Sequence, residues 1–202
     1  CSAVNDSASG AQVIDGSLNC DGGKSQYLKF TPGSDGNRKT WTKSFWIKRG
    51  KLDRRMLLGS YTSGADTAVI SIQDDGTGVT FYDYLNGYRY RLTTTATILD
   101  PSAWYHIVAV LDTAQSTSSE RLKLYINGSQ VTAFSIETYP SQNLDGKFNT
   151  GSLQESLLTE GTNLRLHYDG SMSQYYFIDG LALGSGYFGY TDPLTNTWRP
   201  KQ

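Results

Sequence analysis

From Gln12 onward the chain alternates short apolar or aromatic runs with turn-forming clusters, and no run keeps an i, i+3, i+4, i+7 stripe. The runs fall at 26–30, 41–49, 56–61, 68–73, 79–85, 88–94, 104–112, 122–126, 130–136, 164–168 and 173–178. Each has the length of a strand. So many short strands in one chain predict an all-β fold built as two packed antiparallel sheets. The segment Trp104–Leu111 is apolar at every position but His106, so it is expected in mid-sheet with both faces covered. His106 then shares a face with Trp104 and Val108 and reads as a core histidine. The stretch 143–161 has no alternation and is expected to be a long loop. Residues 1–11 are small and polar and read as a linker or loosely docked arm, leaving 12–202 as one domain.

Two dipeptides set hairpin registers. Asn127-Gly128 fits a two-residue type I′ turn, which places Leu122, Leu124 and Ile126 on one face with Val131 and Ala133. Asn86-Gly87 reads the same way. Its two-residue loop would pair Tyr84 with Arg89 and Tyr82 with Arg91, and send Phe81, Leu85, Tyr88 and Leu92 to the opposite face. Tyr82, Tyr84, Arg89 and Arg91 are therefore the candidate ligand-binding residues. Tyrosine rings stack on the apolar side of a sugar, and guanidinium groups pair with an acidic sugar or a phosphate. The competing reading is Tyr–Arg stacking that only solvates the sheet.

Composition narrows the remaining chemistry. The 202 residues carry a net charge of -1, which gives no general attraction to nucleic acid or anionic membrane. No apolar run approaches the ~18 residues that a spanning helix needs, so no membrane insertion is expected. The chain starts with Cys rather than Met and reads as a processed product or a piece of something longer. Cys1 and Cys20 are the only cysteines; a bond between them is one option, and free thiols are favoured for a protein assembled in a reducing cytoplasm.

The segments YLKFTPGSDGNRKTWTKSFWIKRGKL (27–52), DPSAWYHIVAVLDTAQSTSSERLKLYINGSQVTAF (100–134), TYPSQNL (138–144), YDGSMSQYYFIDGLAL (168–183) and FGYTDPLTNTWRPK (188–201) together resemble a known family. They are similar to the laminin-G-like, concanavalin A-like jelly-roll domains, in the branch found in tailed-phage structural and tail-fibre proteins. The resemblance implies a jelly-roll sandwich with one concave face and a place on a virion surface or otherwise outside the cell. The implied partners are glycan or a host cell surface, other virion proteins and, where the fibre is multimeric, further copies of the chain. The sequence TEGTNLRLHYDG (159–170) lacks the family's Ile-Gly step, so a reshaped loop before Tyr168 is expected, and 59–75 does not align.

Retaining glucanases of this fold carry E-x-D-x-x-E on one strand, which puts an acid and a nucleophile ~5–5.5 Å apart. That spacing is missing, and Glu120, Glu137, Glu155 and Glu160 lie isolated in polar stretches. A non-enzymatic module follows as the expectation. The two histidines stand without a G-x-S-x-G elbow or a zinc spacing. No cofactor is expected, with calcium the one ion left open, through Asp66, Asp74 and Asp75 at a rim. The function expected is a non-catalytic, lectin-like module of a phage virion that binds host glycan. A structural or assembly module without its own ligand, and a secreted bacterial lectin or lipoprotein, are the alternatives.

Overall fold

The computed structural model describes residues 2–6, 14–53, 55–73, 77–159 and 166–201. Its strands are β1 (Ser2–Asp6), β2 (Ile14–Cys20), β3 (Leu28–Phe30), β4 (Thr40–Arg49), β5 (Met56–Ser63), β6 (Asp66–Ile72), β7 (Val79–Leu85) and β8 (Tyr88–Thr94). They continue as β9 (Trp104–Asp112), β10 (Leu122–Ile126), β11 (Ser129–Gln130), β12 (Phe134–Thr138), β13 (Glu155–Leu157), β14 (Gly170–Asp179), β15 (Gly189–Thr191) and β16 (Trp198–Pro200). Two antiparallel sheets form, in the orders β1-β2-β14-β4-β9-β10-β11 and β12-β8-β7-β6-β5-β13-β3, with β15-β16 as a separate ribbon. This is the expected jelly-roll sandwich.

Period-two alternation decides which side chains enter the space between the sheets. From β4 these are Trp41, Phe45 and Ile47, and from β9 Ile107, Ala109 and Leu111. The other sheet answers with Ile70, Ile72, Phe81, Tyr90 and Leu92. One polar pair joins this core. Lys43 of β4 donates to Glu155 of β13 at 2.5 Å, and its ammonium sits 4.0 Å over the Phe148 ring and 4.2 Å over the Phe177 ring. Burial pushes the Lys43 ammonium down from its ordinary value, while Glu155 holds it up. Glu155 is thus a core group tying the sheets together, although it lies in a polar stretch of the sequence.

The ends of β7, β8, β9 and β10 fall where the pattern placed them. At Asn127-Gly128 the pairing Ile126↔Ser129 encloses a two-residue loop, with φ 48° at Asn127 and 84° at Gly128. Other elements differ. The run 130–136 is two strands on two sheets: β11 ends at Gln130, and the chain crosses to pair β12 with β8. The long loop contains the three-residue β13 and the buried Phe148. The presumed arm contributes β1, an edge strand paired with β2. In the run 164–168, residues 166–168 are not a strand, and Leu164 lies outside the described residues. Cys20 is buried and disulfide-bonded, in contrast to the free thiol expected; Cys1 lies outside the described residues.

Residues after β14 fold back over the outer side of the β4 sheet. Phe188 packs on Val108 and Val110, and Trp198 packs on Ile14, Trp46 and Trp104. A side chain at Gly128 or Gly189 would meet the Trp198 ring at 2.4 Å, so glycine at both positions gives the indole its slot. Both faces of β9 are covered in this way, as its uninterrupted apolar run requires.

Candidate functional site

The outer side of the β7 sheet is built differently. Register places Arg91, Tyr82, Val69, Gly59 and Ser156 side by side across five strands, with Tyr88, Tyr84 and Thr67 in the next row. Gly59, Thr67, Val69, Ser71 and Thr80 make a row of small residues that is itself buried, and the tyrosines stand along one side of it. Tyr88 meets Tyr82 edge-on with centroids 5.5 Å apart and Tyr84 at 5.1 Å, and the Arg91 guanidinium lies 4.9 Å over the Tyr88 ring. Tyr88 is half exposed (50%). Edge-to-face packing leaves the three rings presenting different faces, and cation–π contact holds Arg91 beside them.

Three of the four candidate residues share this face. Arg89 does not. The pairings Asp83↔Tyr90 and Tyr84↔Tyr88 leave Arg89 as an extra residue on β8, a bulge that reverses its side. Its Nε and Nη2 reach the inward Asp83 carboxylate at 2.7 and 2.6 Å, and its Nη1 donates to the Asp145 carbonyl at 3.0 Å. Asp83 is fully buried and also accepts from the Lys147 amide at 2.9 Å. Burial pushes the Asp83 carboxyl up and Arg89 pulls it back down. The Asn86-Gly87 loop is consequently one residue longer than a two-residue turn, and Tyr88 takes the outward place assigned to Arg89. The signal was present in β7: an Asp in the inward row with Phe81 and Val79 needs a cation on that side.

Beyond this hairpin the rim carries a polar cleft of about 340 Å³, lined by Arg38, Thr62, Asp66, Arg89, Lys147 and Ser152 among others. Its charges are matched internally. Lys147 pairs with Asp66 at 2.6 Å and donates to Thr62 at 2.8 Å, and Arg38 lies 3.6 Å from Asp35. Asp66 is therefore engaged by a lysine, and Asp74 and Asp75 lie outside the described residues. Among the described residues no three His, Cys, Asp or Glu side chains converge as a cation site.

The carboxylates examined for hydrolysis are scattered. Glu155 is paired with Lys43, Glu137 of β12 accepts from the Tyr139 hydroxyl at 2.6 Å, and Glu120 pairs with Lys123. Glu160 lies outside the described residues. His106 has a serine partner, since Ser44 Oγ is 2.8 Å from its Nε2. Trp198 Nε1 donates to Nδ1 at 3.0 Å, so the ring's proton is on Nε2 and is donated to Ser44. The imidazole is wedged between Trp46 and Trp198, fully buried, and burial pushes its pKa down to about 3. Both groups are sealed, and the core reading of His106 holds.

Known proteins share this fold. Domain 4 of AbnA, a GH43 extracellular arabinanase from Geobacillus stearothermophilus solved with arabinotriose, superposes with a TM-score of 0.61 at 15% identity, covering 90% of this chain and 83% of that one. The CBM40 of Ruminococcus gnavus IT-sialidase gives 0.55 at 14%, covering 80% and 94%. The enzymatically active domain of tailspike protein 2 from bacteriophage CBA120 gives 0.58 at 12%, covering 88% of this chain and 26% of that one. At these identities the likeness is one of fold. No curated protein sequence matches the chain. The profile of the laminin-G-type family described as the concanavalin A-like lectin/glucanases superfamily matches residues 21–181, and the chain belongs to that family.

Proposed function

We propose that the domain is a non-catalytic glycan-binding module and that the Tyr82, Tyr84, Tyr88 and Arg91 ledge is its sugar-contacting surface. One observation carries the reading: three tyrosines and an arginine crowd one side of an outward floor of small residues. A sugar ring needs a flat apolar wall and hydroxyl partners, and the half-exposed Tyr88 with Tyr82, Tyr84 and Arg91 offers both. Arg89 belongs to the scaffold beneath. The setting we propose is a phage virion, as part of a tail fibre or capsid decoration engaging host-surface glycan; the fold likeness to a bacteriophage tailspike supports it.

The test is a glycan array probed with the chain displayed multivalently, beside Tyr88→Ala. Binding that the variant loses supports the reading; no binding at high valency overturns it. Incubation with laminarin or lichenan should release no reducing sugar above a heat-killed control. One observation favours an assembly role instead. The cover over the β4 sheet exposes Leu194 (93%) and Tyr187 (67%), an apolar surface that other virion proteins or further copies of the chain could bury.

A further inference from the structure

At the far edge of the sandwich from the tyrosines, β2 and β14 of one sheet face β13 and β3 of the other. A cavity of about 400 Å³ lies between them, lined by Leu18, Leu28, Leu157, Met172, Gln174 and Tyr175 together with Gly16, Ser17 and Ser173. Among the described residues no charged side chain lines it. Its size is that of a small-molecule site.

The wall on the β14 side is irregular in a particular way. Met172 pairs with Ile47, Ser173 with Trp46 and Tyr176 with Ser44, so Phe45 alone faces both Gln174 and Tyr175. This bulge keeps Met172, Tyr175 and Phe177 directed inward on the core. Its extra residue, Gln174, has φ 46°, a conformation for which Gly or Asn is the cheaper choice. The Gln174 Oε1 and the Tyr175 hydroxyl are both buried without a hydrogen-bond partner. A bulge that served only to keep the core in phase would need neither a strained glutamine nor an orphaned hydroxyl.

We propose that this cavity is a second binding site, independent of the tyrosine ledge, for a neutral small molecule with an apolar body and a hydroxyl. Leu18, Leu28, Leu157 and Met172 enclose the body. The hydroxyl donates to Gln174 Oε1 or accepts from Tyr175. The described lining residues are uncharged and disfavour carboxylates, phosphates and amines, because an unpaired charge buried against them would have no compensation. Leu28, 41% exposed on the edge strand β3, stands at the mouth.

The experiment titrates the chain with 2-naphthol and, separately, with naphthalene, read by ligand fluorescence and by NMR shifts of the lining residues. The wild-type chain should bind 2-naphthol about threefold to tenfold tighter than naphthalene, the increment of one net hydrogen bond. Tyr175→Phe, which removes only the hydroxyl, should shrink that ratio without lowering the unfolding temperature. Leu28→Trp should block both ligands while leaving the fold intact. Equal affinity of the wild type for the two ligands overturns the proposal. So does binding that Leu28→Trp leaves unchanged, and so does no shift at the lining residues with either ligand.

Discussion

The two outer faces of this sandwich obey the same alternation and carry side chains of very different size. On the β4 sheet the outward row holds Trp46, Trp104, His106, Val108 and Val110, and residues 181–201 come back to roof it. On the β7 sheet the outward row holds Gly59, Thr67, Val69, Ser71 and Thr80, with tyrosines and an arginine grouped at one side. A row of indoles and branched aliphatics left in water would forfeit a large burial free energy, so it takes a cover. A row of small and hydroxylated residues has less to gain from one, although Val69, Ser71, Thr67 and Thr80 are buried here too. Exposure on this side is greatest at the tyrosine edge, where Tyr88 is 50% exposed. Side-chain size in the outward register therefore sets how much each face gains by being covered, and the tyrosine edge is the part of the β7 face left to a ligand.

The roofed face should respond to truncation as a core does. Trp104→Ala is expected to cost about 3–5 kcal/mol, which lowers the unfolding temperature by roughly 10 °C for a chain of this size. Thermal unfolding followed by circular dichroism measures it. A shift of a degree or two would mean that the roof adds no packing and that the two faces are equivalent.

Acid probes the same roof through His106. Its folded pKa is about 3 against the ordinary 6.5, so the unfolded chain binds the proton more readily between those values. The contribution is present in full above pH 6.5 and is lost as pH falls towards 3, at about 1.4 kcal/mol per pH unit. His106→Gln should flatten that part of the stability profile. Parallel profiles for variant and wild type would show that water reaches the imidazole.

Arg89→Ala tests the boundary between scaffold and ledge. It leaves the buried Asp83 short of its cation, and with Arg89 itself 21% exposed the expected loss is about 2 kcal/mol, less than for a fully buried pair. Glycan preference should stay as it was, and adding Asp83→Asn should recover part of the stability. Altered glycan selectivity at unchanged stability would return Arg89 to the binding surface.

Legibility in the sequence followed the length and regularity of each pattern. The boundaries of four strands, the Asn127-Gly128 turn and the core role of His106 rested on runs long enough to set their own phase. The β13 strand is three residues long and has no phase to read. The run 130–136 alternates without interruption, so nothing in it marks the point where the chain leaves one sheet for the other. The bulges at Arg89 and at Gln174 each shift a register by one residue for reasons lodged elsewhere in space: a buried carboxylate in the first case and the β14 core positions in the second. Three of the four ledge residues were recovered, since the Tyr82↔Arg91 pairing precedes the bulge. Tyr88 was missed because it follows from the bulge itself.

That residue makes the most discriminating test of the tyrosine edge. Tyr88 touches Tyr82, Tyr84 and Arg91, yet it is half exposed and contributes nothing to the core between the sheets. Tyr88→Ala should change stability by no more than about 0.5 kcal/mol, as an exposed side chain does. If the ledge stacks on sugar, the same change should weaken glycan binding by roughly 1–2 kcal/mol, the scale of one aromatic contact. Tyr88→Phe separates the parts of that loss: it keeps the ring and removes the hydroxyl, so binding retained in Phe and lost in Ala assigns the contact to stacking. Calorimetric titration with an array-positive glycan measures both. Should Tyr88→Ala cost stability and spare binding, the three rings are packing one another rather than a ligand. The tyrosine edge would then be as structural as the roofed face.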